Sequence, residues 1–254
     1  YYHSSGSGPP VVFLHGMLMS SRFFTKQTPL ADNYQLLTLD FRGHGRSEKA
    51  TAGHTVPEYA QDLEAFFSAR DLTDIVLVGW SMGSLVTWEY IRQFGTDRLQ
   101  GFVSVEQQPL DLKQDGYDHG VFTFEELRGL MELAQTEHHE LAQTLIDQML
   151  VDEPADMEDK LFDEITRVPP AIVSAILFDQ SVRDYRSVLS DVDVPTLVCL
   201  GEDETLLETG GVEYVAEETP NAELKRFTNS GHCPFIEEPE LFNHAVSAFI
   251  KSLS

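Results

Sequence analysis

Short runs of apolar residues without polar alternation recur in the first part of the chain, at residues 11–14, 36–39, 75–78 and 99–105. Runs of this kind predict strands buried on both faces, which is typical of a mostly parallel sheet. The stretch after Pro57 has a different period, because its apolar residues recur at helical spacing and proline suits the first turn of a helix. The pattern therefore predicts the alternation of strands and helices that characterises α/β proteins.

Residues 109–186 break this alternation, because they contain no strand-like run. Their apolar residues share helical faces instead. One face has Phe124, Leu127, Met131 and Ala134, and another has Leu141, Leu145, Ile146 and Met149. We expect residues 109–186 to form a helical cap inserted into a core made of residues 1–108 and 187–254. The apolar faces either pack within the cap or line an apolar substrate pocket.

The strand pattern resumes at residues 196–200 and 222–227, with a helix predicted between them at 212–218. Apolar residues at helical spacing from 241 to 250 predict a closing amphipathic helix. A chain of 254 residues is long enough for one α/β domain with a substantial core. We therefore predict a mostly parallel central sheet flanked by helices, with an inserted helical cap.

The pentapeptide Gly79-Trp80-Ser81-Met82-Gly83 lies between a predicted strand and a predicted helix. A Gly-x-Ser-x-Gly sequence in this context is a nucleophile elbow, a tight turn that presents the serine at the tip of the strand. The serine then lies at a helix N-terminus, where developing negative charge is stabilised. Ser81 is therefore the predicted nucleophile.

A serine nucleophile needs a base to accept its proton, and the base needs a partner that orients it. His232 follows the last predicted strand, in a glycine-containing loop at the same edge of the sheet as Ser81. It is therefore the predicted base. The other histidines are less well placed, because His15 shapes a loop, His44 lies in a turn, and His138 and His139 fall on a cap helix.

The predicted acid is Asp203, which follows the strand at 196–200 and completes the order Ser, Asp, His that is typical of hydrolases. Its rivals are Glu202, Glu204 and Glu106, the last of which also follows a predicted strand. Acyl transfer also requires donors for the oxyanion. The backbone N–H groups of Met82 and Met17 are the predicted donors, because Met82 follows the nucleophile and Met17 follows the early His-Gly pair.

Five segments together resemble the α/β-hydrolase superfamily, above all its small esterase, cofactor-free haloperoxidase and lactonase-like branch. They are residues 8–16 (GPPVVFLHG), 40–47 (DFRGHGRS), 79–83 (GWSMG), 194–203 (VPTLVCLGED) and 230–235 (SGHCPF). The resemblance implies an eight-stranded sheet with a cap between its sixth and seventh strands. Only residues 1–10 precede the first strand-like run, so we expect the family's first strand to be absent here. Met17 stands where many relatives have an aromatic or another apolar residue.

The expected activity is hydrolysis of carboxylic esters of small to medium apolar substrates through an acyl-enzyme. Other chemistry on the same triad remains open, namely perhydrolysis of the haloperoxidase type, lactone hydrolysis or carbon–carbon bond hydrolysis. A receptor that binds a small ligand with slow turnover is a further alternative. We expect no cofactor and no metal, since no cluster has metal-ligand spacing and no phosphate-binding loop is present.

The chain is strongly acidic, with 17 lysine and arginine residues against 42 aspartate and glutamate residues and a net charge of −25. Such a surface repels nucleic acids and anionic membranes, so neither is an expected partner. Two cysteines do not form a disulfide framework, and no secretory leader is visible. The expected location is therefore the cytoplasm, and the oligomeric state is left open.

The acidic surface indicates either adaptation to high salt or an ordinary acidic enzyme. If the chain is adapted to salt, ions will screen the repulsion among its carboxylates, and its melting temperature will rise between dilute buffer and molar salt. Thermal unfolding followed at increasing sodium chloride concentrations measures this. A melting temperature that does not rise contradicts salt adaptation.

Overall fold

One seven-stranded sheet forms the centre of the computed structural model, which describes residues 1–151 and 158–253. In chain order the strands are β1 (Tyr2–Ser5), β2 (Pro10–Leu14), β3 (Gln35–Leu39), β4 (Ile75–Trp80), β5 (Leu99–Val105), β6 (Thr196–Gly201) and β7 (Ala222–Phe227). They lie in the order β1-β3-β2-β4-β5-β6-β7. Only β1 runs antiparallel to its neighbour, as its pairing of Tyr2 with Leu39 shows, and the other pairs are parallel.

Helices connect the strands. They are α1 (Val56–Arg70), α2 (Met82–Phe94), α3 (Phe124–Thr136), α4 (His138–Met149), α5 (Glu158–Thr166), α6 (Pro170–Ser181), α7 (Arg186–Leu189), α8 (Thr209–Glu218), α9 (Pro234–Glu237) and α10 (Pro239–Ser252). A 3₁₀ segment covers Ser21–Asp32. Within the described ranges, no helix combines the length and the apolar character needed to cross a bilayer.

The sheet separates two apolar cores. In β4, Val76 and Val78 belong to one core, and Ile75 and Leu77 belong to the other. All four side chains are fully buried. Because neighbouring side chains of a strand point to opposite faces, a strand covered on both faces has no polar positions. The interpretation of the unalternating apolar runs is therefore confirmed.

Helices α3 to α6 lie between β5 and β6 within residues 109–186, the stretch predicted as a cap, of which residues 152–157 lie outside the described part of the chain, and α7 begins at the last residue of that stretch. The side chain of Thr123 and that of Glu126 form a capping box at the start of α3. Polar contacts then join α3 to α6, because Gln135 Nε2 donates to Pro170 O at 2.7 Å and Ser174 Oγ donates to Met131 O at 3.1 Å.

The segment between β2 and β3 is a 3₁₀ helix, broken at Phe24 and containing Pro29, which cannot donate a backbone hydrogen bond. The described residues form seven strands, which agrees with the expectation of one strand fewer than the family's eight. The fold class itself, a mostly parallel sheet flanked by helices, is confirmed.

The elbow between β4 and α2 depends on a close approach to β2. A Cβ atom added to Gly83 would lie 2.3 Å from Leu14 O, and one added to Gly79 would lie 2.6 Å from Gly83 O. Both contacts are with backbone atoms, so no side-chain rotation can relieve them. Glycine at these two positions lets helix α2 begin directly against the neighbouring strand.

Gly83→Ala should therefore lower the free energy of unfolding by about 1–3 kcal/mol, the usual cost of overpacking a core. Gly129→Ala is the matched control, because Gly129 is an exposed residue of α3 with open space around it. This second change should raise the free energy of unfolding by about 0.5–1 kcal/mol through helix propensity. Urea denaturation measures both, and equal effects of the two changes would contradict the packing argument.

Candidate active site

Ser81 occupies a strained turn at the carboxyl end of β4. Its φ of 52° and ψ of −120° are rare for a residue with a side chain, and such conformations persist only where neighbouring contacts impose them. Two hydrogen bonds do so here: Ser81 N–H donates to Val105 O at 2.9 Å, and Ser84 N–H donates to Ser81 O at 2.8 Å. The side chain of Ser81 lines a cavity.

The loop after β2 packs directly against Ser81. A Cβ atom on Gly16 would lie 3.3 Å from Ser81 Cβ. The predicted oxyanion donors flank this contact, and in the described chain neither Met17 N–H nor Met82 N–H donates a hydrogen bond to another protein group. Both amides therefore remain available to a bound group.

His15 fixes the shape of this loop. Its ring is fully buried, with Nδ1 2.7 Å from Gly16 O and Nε2 accepting from Phe41 N–H at 3.0 Å. These contacts require a proton on Nδ1 and none on Nε2. Burial lowers the pKa of His15, which favours this neutral form. The prediction that His15 shapes its loop is confirmed.

His232 lies in the loop after β7 and is tied to two other parts of the site. Its backbone N–H donates to Met149 O at the end of α4, at 3.0 Å, and its carbonyl accepts from Trp80 Nε1 at 2.9 Å. Only 4% of His232 is exposed. The ring lines the same cavity as Ser81, so the structure brings these two predicted residues together.

The carboxylate bound to His232 is that of Glu204, with Oε2 2.5 Å from Nδ1. The other oxygen, Oε1, accepts from the N–H groups of Leu206 at 2.6 Å and Leu207 at 3.4 Å. Burial raises the pKa of Glu204, but the charge and hydrogen bond of His232 more than offset this and hold the pKa below its usual range. Glu204 is therefore a buried carboxylate.

The prediction of Asp203 as the partner of His232 is wrong. The chain turns directly after β6, with Glu204 N–H donating to Gly201 O at 3.4 Å. This turn directs the side chain of Glu204 inward, whereas Asp203 is exposed and is held through its backbone N–H to Ser230 O at 3.1 Å. The segment Gly201-Glu202-Asp203-Glu204 has three successive acidic residues. Only the backbone geometry of the turn decides which of the three side chains points toward His232.

Glu106, the rival acid at the end of β5, lies beside this pair. It is fully buried and has a positive φ of 47°. Its Oε1 accepts from Gly201 N–H, while Oε2 has no hydrogen-bond partner among the described residues. Burial, and then the charge of Glu204, raise the pKa of Glu106 well above its usual range. Folding therefore favours the protonated form of Glu106 beside the ionised form of Glu204.

Glu106, Glu204 and His232 place potential metal ligands within 4.8 Å of one another. Hydrogen bonds account for the close approach of these groups without a metal ion, because both oxygens of Glu204 and Nδ1 of His232 already take part in hydrogen bonds. The two cysteines take no part in it. Cys233 and Cys199 are both buried free thiols, and burial raises the pKa of each well above its usual value.

The cavity that Ser81 and His232 line has a volume of about 100 Å³. Most of its wall is apolar and includes Leu141, Leu145 and Met149 of one predicted cap face, together with Leu130 and Leu177. Other residues of those faces, such as Leu127 and Ala134, are buried in packing instead. The wall also contains Gln107, Asp111 and Gln180, which the sequence patterns did not single out.

A serine on a nucleophile elbow, with a histidine and a carboxylate from later strand ends of a mostly parallel sheet, defines the class of α/β hydrolases. Residues 9–239 match the model of the α/β-hydrolase fold, so the chain belongs to that family. The resemblance found in the sequence is confirmed.

Named relatives have more than one activity. The chain is 27% identical over 267 residues to a non-heme chloroperoxidase of Streptomyces lividans, covering 96% of this chain and 92% of that protein. It is 25% identical over 261 residues to a pimeloyl-(acyl-carrier protein) methyl ester esterase of Nitrosomonas europaea, covering 95% and 96%. The structure of an esterase from Exiguobacterium antarcticum superposes with a TM-score of 0.94 at 24% identity, covering 99% of this chain and 95% of that one.

Replacing Glu106 with glutamine tests whether Glu106 is neutral. A carboxyl group whose pKa is raised by folding binds more protons in the native state, so its contribution to stability falls as pH rises above the pKa of the unfolded chain. Glu106→Gln keeps a neutral group that can accept from Gly201. The variant should therefore become more stable relative to the wild type as pH rises from about 5 to about 8.

Urea denaturation at several pH values measures this difference. Glu202→Gln is the control, because Glu202 is exposed and its replacement also removes one negative charge from an acidic chain. A Glu106→Gln variant that loses stability relative to the wild type as pH rises would show that Glu106 is ionised.

Proposed function

We propose that this protein is a serine hydrolase that cleaves carboxylic esters with small apolar acyl groups. The observation that carries the proposal is the buried Glu204–His232 pair at a cavity that is also lined by Ser81 on its strained elbow. Neither serine nor histidine reacts readily with an ester alone near neutral pH, whereas this combination generates a nucleophile.

In the proposed first step, Ser81 Oγ attacks the ester carbonyl carbon while His232 Nε2 accepts the serine proton. The carbonyl oxygen becomes an oxyanion, for which Met17 N–H and Met82 N–H are the available donors. When the tetrahedral intermediate collapses, the bond to the alcohol oxygen breaks and His232 returns the proton to that oxygen. The products of this step are the free alcohol and an acyl-Ser81 ester.

In the second step, His232 takes a proton from water, and the resulting hydroxide attacks the acyl carbonyl. Collapse of this intermediate returns the proton to Ser81 and releases the acid. Glu204 supports both steps, because its carboxylate holds the proton on His232 Nδ1 and stabilises the imidazolium that forms in each. The raised pKa of Glu106 and the lowered pKa of Glu204 favour a negative charge on Glu204, the carboxyl group that contacts His232.

The size and lining of the cavity support short apolar acyl groups. Its volume of about 100 Å³ is small beside the several hundred that are usual for a drug-sized ligand. Apolar residues of the cap helices α3, α4 and α6 contribute to this lining, namely Leu130, Leu141, Leu145, Met149 and Leu177.

Perhydrolysis is the second candidate activity. It is favoured by the relative named as a non-heme chloroperoxidase, which is 27% identical to this chain. The same acyl-enzyme would then react with hydrogen peroxide in place of water and release a peracid. This reaction uses the same three side chains, so the two activities differ only in the acceptor of the acyl group.

Hydrolysis of p-nitrophenyl acetate and butyrate tests the proposal with matched variants. Ser81→Ala should lower kcat by at least about 10⁴-fold, because the nucleophile is lost. Glu204→Gln should lower it by about 10³-fold or more, because the amide no longer stabilises the imidazolium. Asp203→Asn, the control at the neighbouring exposed position, should stay within about threefold of the wild type.

Each result distinguishes a part of the proposal. Equal activity of Ser81→Ala and the wild type would contradict Ser81 as the nucleophile. A greater loss in Asp203→Asn than in Glu204→Gln would contradict the assignment of Glu204. Circular dichroism spectra of all three variants check that the substitutions have not unfolded the protein.

A further inference from the structure

One side of the otherwise apolar cavity is polar. Gln107, Asp111 and Gln180 all line it, and each is more than nine-tenths buried, with exposed fractions of 2%, 3% and 7%. Gln107 and Asp111 belong to the segment after β5, and Gln180 belongs to α6. A polar group in such a position costs free energy unless it has a hydrogen-bond partner.

Asp111 has only part of the hydrogen bonding that a buried carboxyl group needs. Gln107 Nε2 donates to Asp111 Oδ1 at 3.1 Å and also to Gln108 O at 2.9 Å, which uses both of its hydrogens. Asp111 Oδ2 accepts no hydrogen bond from residues 1–151 and 158–253, and it is not among their enclosed polar atoms that lack a partner, so it is open to the cavity that Asp111 lines. No lysine or arginine of the described chain lines the cavity. The free oxygen of Asp111 therefore lacks a donor.

Gln180, on α6, also has a side-chain oxygen without a donor. Its Oε1 is buried and has no hydrogen-bond partner in the described part of the chain.

The loop that contains Asp111 is held by backbone contacts, because Asp111 O accepts from Val121 N–H at 2.8 Å and from Phe122 N–H at 3.1 Å. The loop therefore does not depend on the side chain of Asp111. Asp111 and Gln180, two residues that line one cavity, thus each have a side-chain oxygen without a hydrogen-bond donor among the described residues.

We propose that this polar side, formed by Asp111 with Gln107 and Gln180, binds a hydrogen-bond donor on the substrate. The donor is a hydroxyl, an amide N–H or an ammonium group on an otherwise apolar ester. The inference rests on the proposed function and narrows its substrate class. Gln107 positions the Asp111 carboxyl group, and the substrate supplies the donor that Oδ2 lacks.

The ionisation of Asp111 agrees with this role. Burial raises its pKa to about 7, against the opposing effects of the Gln107 hydrogen bond and the charge of His232. A donor that binds Oδ2 stabilises the carboxylate form. Above pH 7 the subsite is therefore an acceptor, and it favours an ammonium or a hydroxyl over a methyl group.

An alternative role for Asp111 is a general electrostatic effect on His232, since the two groups interact. Such an effect changes the turnover of every ester by the same factor. A subsite instead changes the ratio of turnover between a substrate that carries a donor and its isostere. The ratio therefore separates the two roles.

Three ethyl esters of the same size provide this ratio: ethyl butanoate, ethyl 3-hydroxypropanoate and ethyl 3-aminopropanoate, which end in a methyl, a hydroxyl and an ammonium group. Propyl acetate and 2-hydroxyethyl acetate form a matched pair with the donor on the alcohol side. Hydrolysis is followed by acid release at about pH 8, with Asp111→Leu and Asp111→Asn beside the wild type. Asp115→Asn, at an exposed position of the same loop, is the control.

In the wild type and in Asp115→Asn, a donor-bearing ester should have a kcat/KM about tenfold or more above that of its isostere, as expected for a hydrogen bond to a buried charge. In Asp111→Leu the ratio should fall to about one or below. In Asp111→Asn the preference for ammonium should disappear. A ratio that is the same in both Asp111 variants as in the wild type, or isosteres preferred in every set, would overturn the subsite.

Binding to Ser81→Ala separates failure of the subsite from failure of the proposed function. The same esters are titrated into this variant, with and without Asp111→Leu, and binding is measured by ligand-observed NMR. Tighter binding of donor-bearing esters that depends on Asp111 supports the subsite even if the wild type hydrolyses none of them. Hydrolysis without any preference in binding or turnover overturns the subsite and leaves the hydrolase proposal standing.

Discussion

The contact between Glu204 and His232 is the interaction on which the site depends. It brings a carboxylate to 2.5 Å from an imidazole nitrogen in a place from which water is largely excluded. A buried negative charge is costly unless several donors share it, and here the donors are His232 and the amides of Leu206 and Leu207. A second buried carboxyl group, Glu106, lies beside it, and burial and the charge of Glu204 raise the pKa of Glu106 well above its usual range.

The parallel sheet makes this arrangement possible. The His-Gly loop, Ser81, Glu106 and Glu204 follow strands β2, β4, β5 and β6, and the carboxyl ends of parallel strands meet at one edge. Ser81 and Glu106 follow neighbouring strands, and both have positive φ angles. The local strain at this edge is balanced by a sheet that is buried on both faces, so a rigid core supports the conformations that the site requires.

Much of the fold and part of the site are predictable from the sequence. The strands at 75–80 and 99–105 were predictable because burial on both faces leaves continuous apolar runs. Ser81 was predictable because close backbone contacts require the two glycines that mark its motif. The choice of Asp203 over Glu204 was wrong because the sequence does not show which of several adjacent acidic side chains a turn directs inward. Asp111 was missed because it lies in a loop, where no period marks the residues that point into a cavity.

Covalent trapping with diethyl p-nitrophenyl phosphate tests directly whether Ser81, His232 and Glu204 act as one reactive unit. One equivalent of p-nitrophenol should be released per protein, and peptide mass spectrometry should find the diethyl phosphoryl group on Ser81. Glu204→Gln should be labelled far more slowly than the wild type, because the charge that stabilises His232 during attack is lost. Labelling at another residue, or equally fast labelling of the two proteins, would contradict the assignment of Ser81, His232 and Glu204 as the reactive unit.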